Sequence, residues 1–339
     1  MPGLSKQSAV LFVVFAGVAG CGQEADPMGR VASDPVGTES GATATAGPEF
    51  LTAGSGPRIL FSSARSGGID IYRMAPDGTG LVQVTSFSGP EQMPAWSGNN
   101  GRIAMVRNRF DAVNGTHYDI YLMNADGTGK KWARPTTVPY EVTDPSWSKD
   151  GSRIAVSVWI GGTRGGLPGV PYLATISPAS GTMSFVSPGI GALEAFSPSF
   201  DPTGKKLVYS GHAGQSLEVI NADGTGHVTL VGANRATGIA KGSIAYPVFS
   251  PDGKRIAFAL YALGNADLYV LNLTDGTAKR LTTNAAEDTH PTWSGDGTRL
   301  AFSSDRTGVS QIWTMPANGG TQVRVTKTSV NEQFPAWSH

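Results

Sequence analysis

The chain has 339 residues, 45 of them glycine, with 26 basic and 26 acidic side chains and no formal net charge. No basic field is available to hold nucleic acid, so nucleic-acid binding is not expected. The single cysteine, Cys21, excludes an intramolecular disulfide and a cysteine-based metal cluster.

Lys6 precedes a run of small and apolar residues from Ala9 to Gly20. A bilayer span needs about 20 such residues, so this shorter run fits the apolar region of a secretory signal covering residues 1–20. The run ends Val18-Ala19-Gly20-Cys21, which resembles the lipobox of bacterial lipoproteins. That resemblance implies cleavage before Cys21 and diacylation of its thiol, so the lipid would be the chain's only membrane contact. Gly22, not an aspartate, follows the cysteine. In a Gram-negative cell the resemblance then implies the outer membrane, on its periplasmic side or at the cell surface. Residues 21–57 are rich in Gly, Ala, Thr, Ser and Pro and cannot offset their own ordering entropy. They are expected to form a flexible tether reaching about 30–35 Å as a random coil.

From Arg58 onward the sequence repeats. Six apolar segments each begin with a base: Arg58-Ile-Leu-Phe, Arg102-Ile-Ala-Met, Arg153-Ile-Ala-Val, Lys206-Leu-Val-Tyr, Arg255-Ile-Ala-Phe and Arg299-Leu-Ala-Phe. Each predicts a short buried strand. A second strand follows, as in Asp70-Ile-Tyr and Asp119-Ile-Tyr, then a turn such as Asp77-Gly78 or Asp223-Gly224. Such pairs supply the positive φ angles of a tight hairpin. The fourth element is Pro94-Ala-Trp-Ser, Pro145-Ser-Trp-Ser, Pro198-Ser-Phe, Pro247-Val-Phe-Ser, Pro291-Thr-Trp-Ser and Pro335-Ala-Trp-Ser. Its prolines recur every 44–53 residues, the period of a four-stranded propeller blade. The first repeat lacks its Pro-x-Trp strand and the last residues supply one. The pattern therefore predicts an all-β, six-bladed propeller over residues 58–339, with four-stranded antiparallel blades. Phe334 to Ser338 are expected to close it against Arg58 to Ser63.

Pro-x-Trp-Ser-Pro-Asp-Gly, then Arg-Ile-Ala-Phe, Asp-Ile-Tyr and Asp-Gly-Thr, with Phe for Trp and Leu for Ile in residues 247–277, resembles the TolB-type propeller repeat, and the resemblance covers residues 58–338. The same repeat occurs in prolyl-oligopeptidase-like and tricorn-like peptidases and in oligogalacturonate lyases, so it implies a fold more than a function. TolB itself carries an α/β domain before its propeller, whereas only the tether is expected here.

Peptidases of this repeat type need a Gly-x-Ser-x-Gly elbow, and the sequence contains none. The five histidines show no i, i+2 or i, i+4 pair, so no metal site and no cofactor are expected. Polar residues recur at the starts of the Pro-x-Trp strands: Glu91, Asp144, Glu194, Asp288, His290 and Glu332. They are expected at the channel mouth, where like charges would attract a cation or a basic partner. Long connections on one face carry Arg109, Phe110, Trp159, Arg164, Tyr246, Tyr261 and Phe334. Arginine and aromatic side chains are common interface anchors. The reading is a non-catalytic envelope module that presents this face to a protein or a glycan. The alternative is a carbohydrate-active enzyme of uronate-lyase type using His290 and the rim carboxylates.

Overall fold

The computed structural model describes residues 56–111, 115–135, 140–160, 169–186, 194–232, 241–262 and 264–339. The expected leader, Cys21 and the tether to residue 55 lie outside the described residues, as does Arg164. Among the described residues no helix is long and apolar enough to cross a membrane.

Six four-stranded antiparallel sheets follow one another along the chain. Blade 1 contains β1 (Ile59–Ser63), β2 (Asp70–Met74) and β3 (Val82–Gln83). Blade 2 is β4 (Glu91–Trp96), β5 (Arg102–Asp111), β6 (Gly115–Asn124) and β7 (Lys131–Trp132). Blade 3 is β8 (Glu141–Trp147), β9 (Ile154–Ile160), β10 (Val170–Ile176) and β11 (Met183–Phe185). Blade 4 is β12 (Phe196–Phe200), β13 (Lys206–Gly211), β14 (Ser216–Asn221) and β15 (Val228–Val231). Blade 5 is β16 (Ser243–Phe249), β17 (Arg255–Ala262), β18 (Asn265–Asn272) and β19 (Ala278–Arg280). Blade 6 is β20 (Asp288–Trp293), β21 (Arg299–Ser304), β22 (Gln311–Pro316) and β23 (Val323–Arg324). The last strand, β24 (Glu332–Trp337), is the inner strand of blade 1.

Closure follows the expected pairing, with Ile59 opposite Trp337 and Ser63 opposite Glu332. Ser338 N–H donates to Arg58 O, and Arg58 N–H donates to Ser338 Oγ, both at 2.8 Å. The inner strands β4, β8, β12, β16, β20 and β24 touch in succession, and β24 touches β4, so the ring is complete.

The apolar runs face both ways because every blade is sandwiched between two others. Leu60 and Ile71 of blade 1 pack with Trp96, Ile103 and Met105 of blade 2. Ile59 and Phe61, on the opposite face of blade 1, pack with Ala301 and Ile312 of blade 6. Period-2 alternation thus sends successive apolar residues into two different cores. A half-solvated sheet would show polar residues at every second position instead.

The recurring base and the recurring aromatic meet across blade boundaries. Arg102 lies 4.5 Å from the ring centre of Trp147 in the next blade and donates to Gly151 O at 2.6 Å. Arg255 repeats this on Trp293 at 4.6 Å and on Gly297 O at 2.9 Å. Arg153 does the same with Phe200 and Gly204 O. The guanidinium gains a cation–π contact and a carbonyl bond at once. The serine after the aromatic holds the turn: Ser97, Ser250 and Ser294 Oγ accept from the backbone N–H of Arg102, Arg255 and Arg299 at 2.9–3.0 Å. Where blade 4 departs from the repeat, Asp201 Oδ1 accepts from Lys206 N–H at 2.8 Å instead.

Two of the connections expected as long loops are shorter than anticipated. The connection carrying Arg109 and Phe110 is mostly strand, because β5 and β6 pair as far as Asp111 opposite Gly115. Tyr261 and Asn265 likewise belong to β17 and β18. Cross-strand pairing satisfies backbone groups that an open loop would leave to water.

Trp337 is 4% exposed and packs in the core between blades 6 and 1. Trp337→Ala is expected to cost about 3–5 kcal/mol in denaturant unfolding. Val323→Ala, on an exposed outer strand, should stay within about 0.5 kcal/mol. Equal midpoints for the two variants would contradict closure through β24.

Candidate binding site on the propeller axis

Each inner strand carries a β-bulge at the same place. Register shifts fall between Gln92 and Ala95, Thr143 and Ser146, Phe196 and Ser199, Ala245 and Val248, and Thr289 and Thr292. In blade 1 the shift falls between Gln333 and Ala336 of β24, which lie opposite Ser62 and Leu60 of β1. The extra residue always precedes the repeat proline and has a positive φ: Met93, Asp144, Ser197, Tyr246, His290 and Phe334, at 51–56°. Non-glycine residues avoid this region, at a cost of about 1–3 kcal/mol each, and such strain gathers at functional sites.

The six bulged residues line an axial cavity of about 240 Å³. The cavity wall continues through the residues after each proline, such as Ala95, Ser146 and Thr292, to the aromatics and His339. Among the described residues, none preceding the bulge on an inner strand lines it. The bulged side chains therefore form the floor, and the cavity runs toward the face where the inner strands end in tight turns. This differs from the sequence expectation, which centred binding on the face carrying the long connections.

The floor has an aromatic half and a polar half. Tyr246 and His290 rings lie 3.7 Å apart between centroids, and Phe334 meets His290 edge-on at 4.4 Å. Burial pushes the His290 imidazole down to about 3, so it is neutral at neutral pH. Its Nδ1 is 2.9 Å from Thr289 Oγ1, and its buried Nε2 has no partner among the described residues. Opposite, Asp144 Oδ2 accepts from Ser157 Oγ at 2.8 Å and Thr143 Oγ1 at 3.0 Å. Burial raises the Asp144 carboxyl above its ordinary value despite these bonds. Burial also raises the Tyr246 phenol, helped by the charges of Tyr261 and Asp144.

Three expected rim carboxylates lie elsewhere. Glu91, Asp288 and Glu332 are 0% exposed. Each pairs with an arginine of its own blade: Glu91 with Arg107 at 3.7 Å, Asp288 with Arg306 at 2.7 Å, and Glu332 with Arg65. They join the inner strand to the neighbouring strand or its hairpin and are not open to a ligand. Glu194 is exposed, and Asp144 and His290 line the cavity.

The expected binding-face residues also separate. Trp159 is 2% exposed, with its Nε1 donating to Thr143 Oγ1 at 3.1 Å. Tyr261 packs against the Trp159, Phe196 and Ala245 cluster. Burial in this packing withdraws both from a docking surface. Tyr246 and Phe334 belong to the cavity floor. Arg109 is held by Asp119 at 3.1 Å and Arg134 O at 2.9 Å. Phe110 remains 52% exposed.

Sequence reading passed over Glu218, a fully buried carboxylate that meets His212 Nε2 at 3.3 Å and His227 Nε2 at 2.7 Å. The two histidines are far enough apart in sequence to hide the pairing. Among the described residues, no group of three His, Cys, Asp or Glu side chains is arranged to hold a metal ion. The Asp-Gly-Thr turns are hairpins closed by the aspartate, as where Asp77 Oδ1 accepts from Thr79 N–H at 2.9 Å.

These features define a six-bladed propeller with a floored axial cavity. Residues 194–339 match the family model described as the TolB beta propeller domain. A 91-residue stretch is 41% identical to the Tol-Pal system protein TolB of Francisella tularensis subsp. mediasiatica, covering 26% of this chain and 19% of that protein. The TolB of subsp. holarctica strain OSU18 gives the same figures. The matching part thus spans about a fifth of the length of these curated relatives. Among solved structures, TolB from Acinetobacter baumannii superposes with a TM-score of 0.66 at 19% identity, over 83% of this chain and 66% of that one. A chain of the nidogen/laminin complex gives 0.64 at 11%, over 84% and 99%. Oligogalacturonate lyase in complex with manganese gives 0.53 at 13%, over 80% and 74%. At such identities these likenesses establish the fold alone. The chain carries a TolB-like β-propeller.

Burial pushes the Glu91 carboxyl up to about 8, outweighing the hydrogen bond from Thr85 and the charge of Arg107. Its Oε1 is buried without a hydrogen bond among the described residues. The native state then keeps a proton that the unfolded chain releases above about 4.5. This group's contribution to stability therefore declines as pH rises from about 4.5 to about 8. Glu91→Gln should remove that decline, so its melting temperature should rise relative to the unaltered chain across this window. Parallel melting curves would rule the shift out.

Proposed function

We propose that this chain is a non-catalytic binding module of the bacterial cell envelope. A lipid on Cys21 anchors it, and the TolB-like propeller engages a partner protein at its axial cavity. The observation that carries the reading is that cavity: a rigid closed ring converges six strained side chains on one small space. Pockets with a few convergent polar groups in a mostly apolar wall are the usual form of a binding site. The family match and the TolB relatives support an envelope setting. An envelope glycan is the second candidate occupant.

A uronate-lyase reading draws on the fold shared with oligogalacturonate lyase and on His290 in the cavity. It expects turnover of oligogalacturonates that is lost in His290→Ala. No turnover by the unaltered chain would dismiss it.

Two experiments test the leading proposal. Cys21→Ser should move the protein from the membrane fraction to the soluble fraction. An unchanged distribution would overturn the lipid anchor. A photo-cross-linking residue placed at Asn99, on an exposed tight turn of the cavity face, should capture an envelope protein in cells. The same group at Phe110 should capture little. Capture only from Phe110 would return the partner to the opposite face, and capture from neither would defeat the binding-module reading.

A further inference from the structure

The floor of the axial cavity is chemically one-sided. In ring order its side chains are Phe334, Met93, Asp144, Ser197, Tyr246 and His290, one from each blade. The polar groups on offer can each accept a hydrogen bond. Asp144 supplies a carboxyl. Ser197 Oγ and His290 Nε2 are buried with no partner among the described residues. With the imidazole proton assigned to Nδ1, where Thr289 Oγ1 accepts it, Nε2 is a bare acceptor. Buried acceptors are satisfied only by donors. Around them stand the rings of Tyr246 and Phe334, whose faces attract positive charge.

Three classes of occupant can be compared with this floor. An anion would offer no donor to the Asp144 carboxyl, to Ser197 Oγ or to His290 Nε2. A neutral apolar group would leave Ser197 Oγ and His290 Nε2 unsatisfied. A cation with several N–H donors answers the carboxyl, both orphaned acceptors and the aromatic faces together. Size narrows the choice further. The cavity of about 240 Å³ is smaller than the roughly 300–1,000 Å³ of sites for drug-sized ligands. It matches one side-chain-sized group inserted from a larger partner.

We infer that the axial cavity binds a single ammonium or guanidinium group on a short apolar stem. The head sits on Asp144, Ser197 and His290, and the stem runs beside Met93, Tyr246 and Phe334. The inference rests on the binding-module reading and specifies what that module recognises. A lysine or arginine side chain of a partner protein and a free alkylamine share this chemistry.

Calorimetric titration of the full-length chain separates the outcomes. The probes are N-acetyl-lysine methylamide, N-acetyl-arginine methylamide, the uncharged N-acetyl-norleucine methylamide and n-butylammonium. The lysine or arginine probe should bind at least tenfold more tightly than norleucine. Asp144→Asn should erase that preference. Asparagine suits this position because it tolerates the positive φ of 54°. Phe334→Leu, which keeps an apolar side chain but removes the ring, should weaken the cationic probes more than norleucine. Should either variant melt early, the lysine-to-norleucine ratio in the unaltered chain decides alone. Butylammonium binding as tightly as the lysine probe would identify a free amine as the ligand. Weaker butylammonium binding would identify a partner's side chain, and both outcomes support the cation site. Equal binding of lysine and norleucine probes, or a preference that survives Asp144→Asn, would overturn it. Neither result would touch partner capture from Asn99, so this inference can fail while the binding-module reading stands. Capture can likewise fail while the cation site stands.

Discussion

The bulge before each repeat proline is the constraint on which the functional architecture depends. A regular strand would alternate its side chains between the two neighbouring blades and send none to the axis. One extra residue with positive φ breaks the alternation and turns a side chain inward. The proline that follows lacks an N–H, so a local break in the ladder costs no hydrogen bond there. Six repeats of this device give six converging side chains of differing chemistry, of which Met93, Phe334 and Tyr246 also pack against the blade cores. The scaffold thus separates a repeated frame from a variable floor.

The frame is held by contacts that recur with the motif. Arg102, Arg153 and Arg255 each reach into the next blade to cover an aromatic ring and bond a turn carbonyl. Inside blades, buried carboxylates pair with arginines, as Asp288 does with Arg306. Breaking a buried pair by removing one partner is costly, because the remaining charge has no solvent. These pairs fix the geometry in which the bulges sit.

Blade number, strand order and closure were legible in the sequence because they rest on spacing. The distances between Pro94, Pro145 and their counterparts set the blade period, and Pro335-Ala-Trp in the final residues implied the last pairing. The site was only partly legible. Glu91, Asp288 and Glu332 look like rim charges because they precede the inner strands, but residues before the bulge follow a different facing rule from those after it. The alternation then points them at Arg107, Arg306 and Arg65. Trp159 and Tyr261 resemble interface anchors by type, yet cross-strand pairing draws both into packing. The Glu218 contacts with His212 and His227 leave no periodic trace, since they arise from turns that depart from the repeat.

Closure by β24 also governs when the ring can exist. Arg58 and Ser338 bond across 280 residues of chain, so blade 1 lacks its inner strand until nearly all of the polypeptide has emerged. Contacts of such sequence separation slow folding, because the entropy of joining distant segments is spent before their packing offsets it. Until then, β1 presents an open edge on which other chains can pair. That edge stays exposed until the final residues join, which makes the interval before closure the step most open to aggregation.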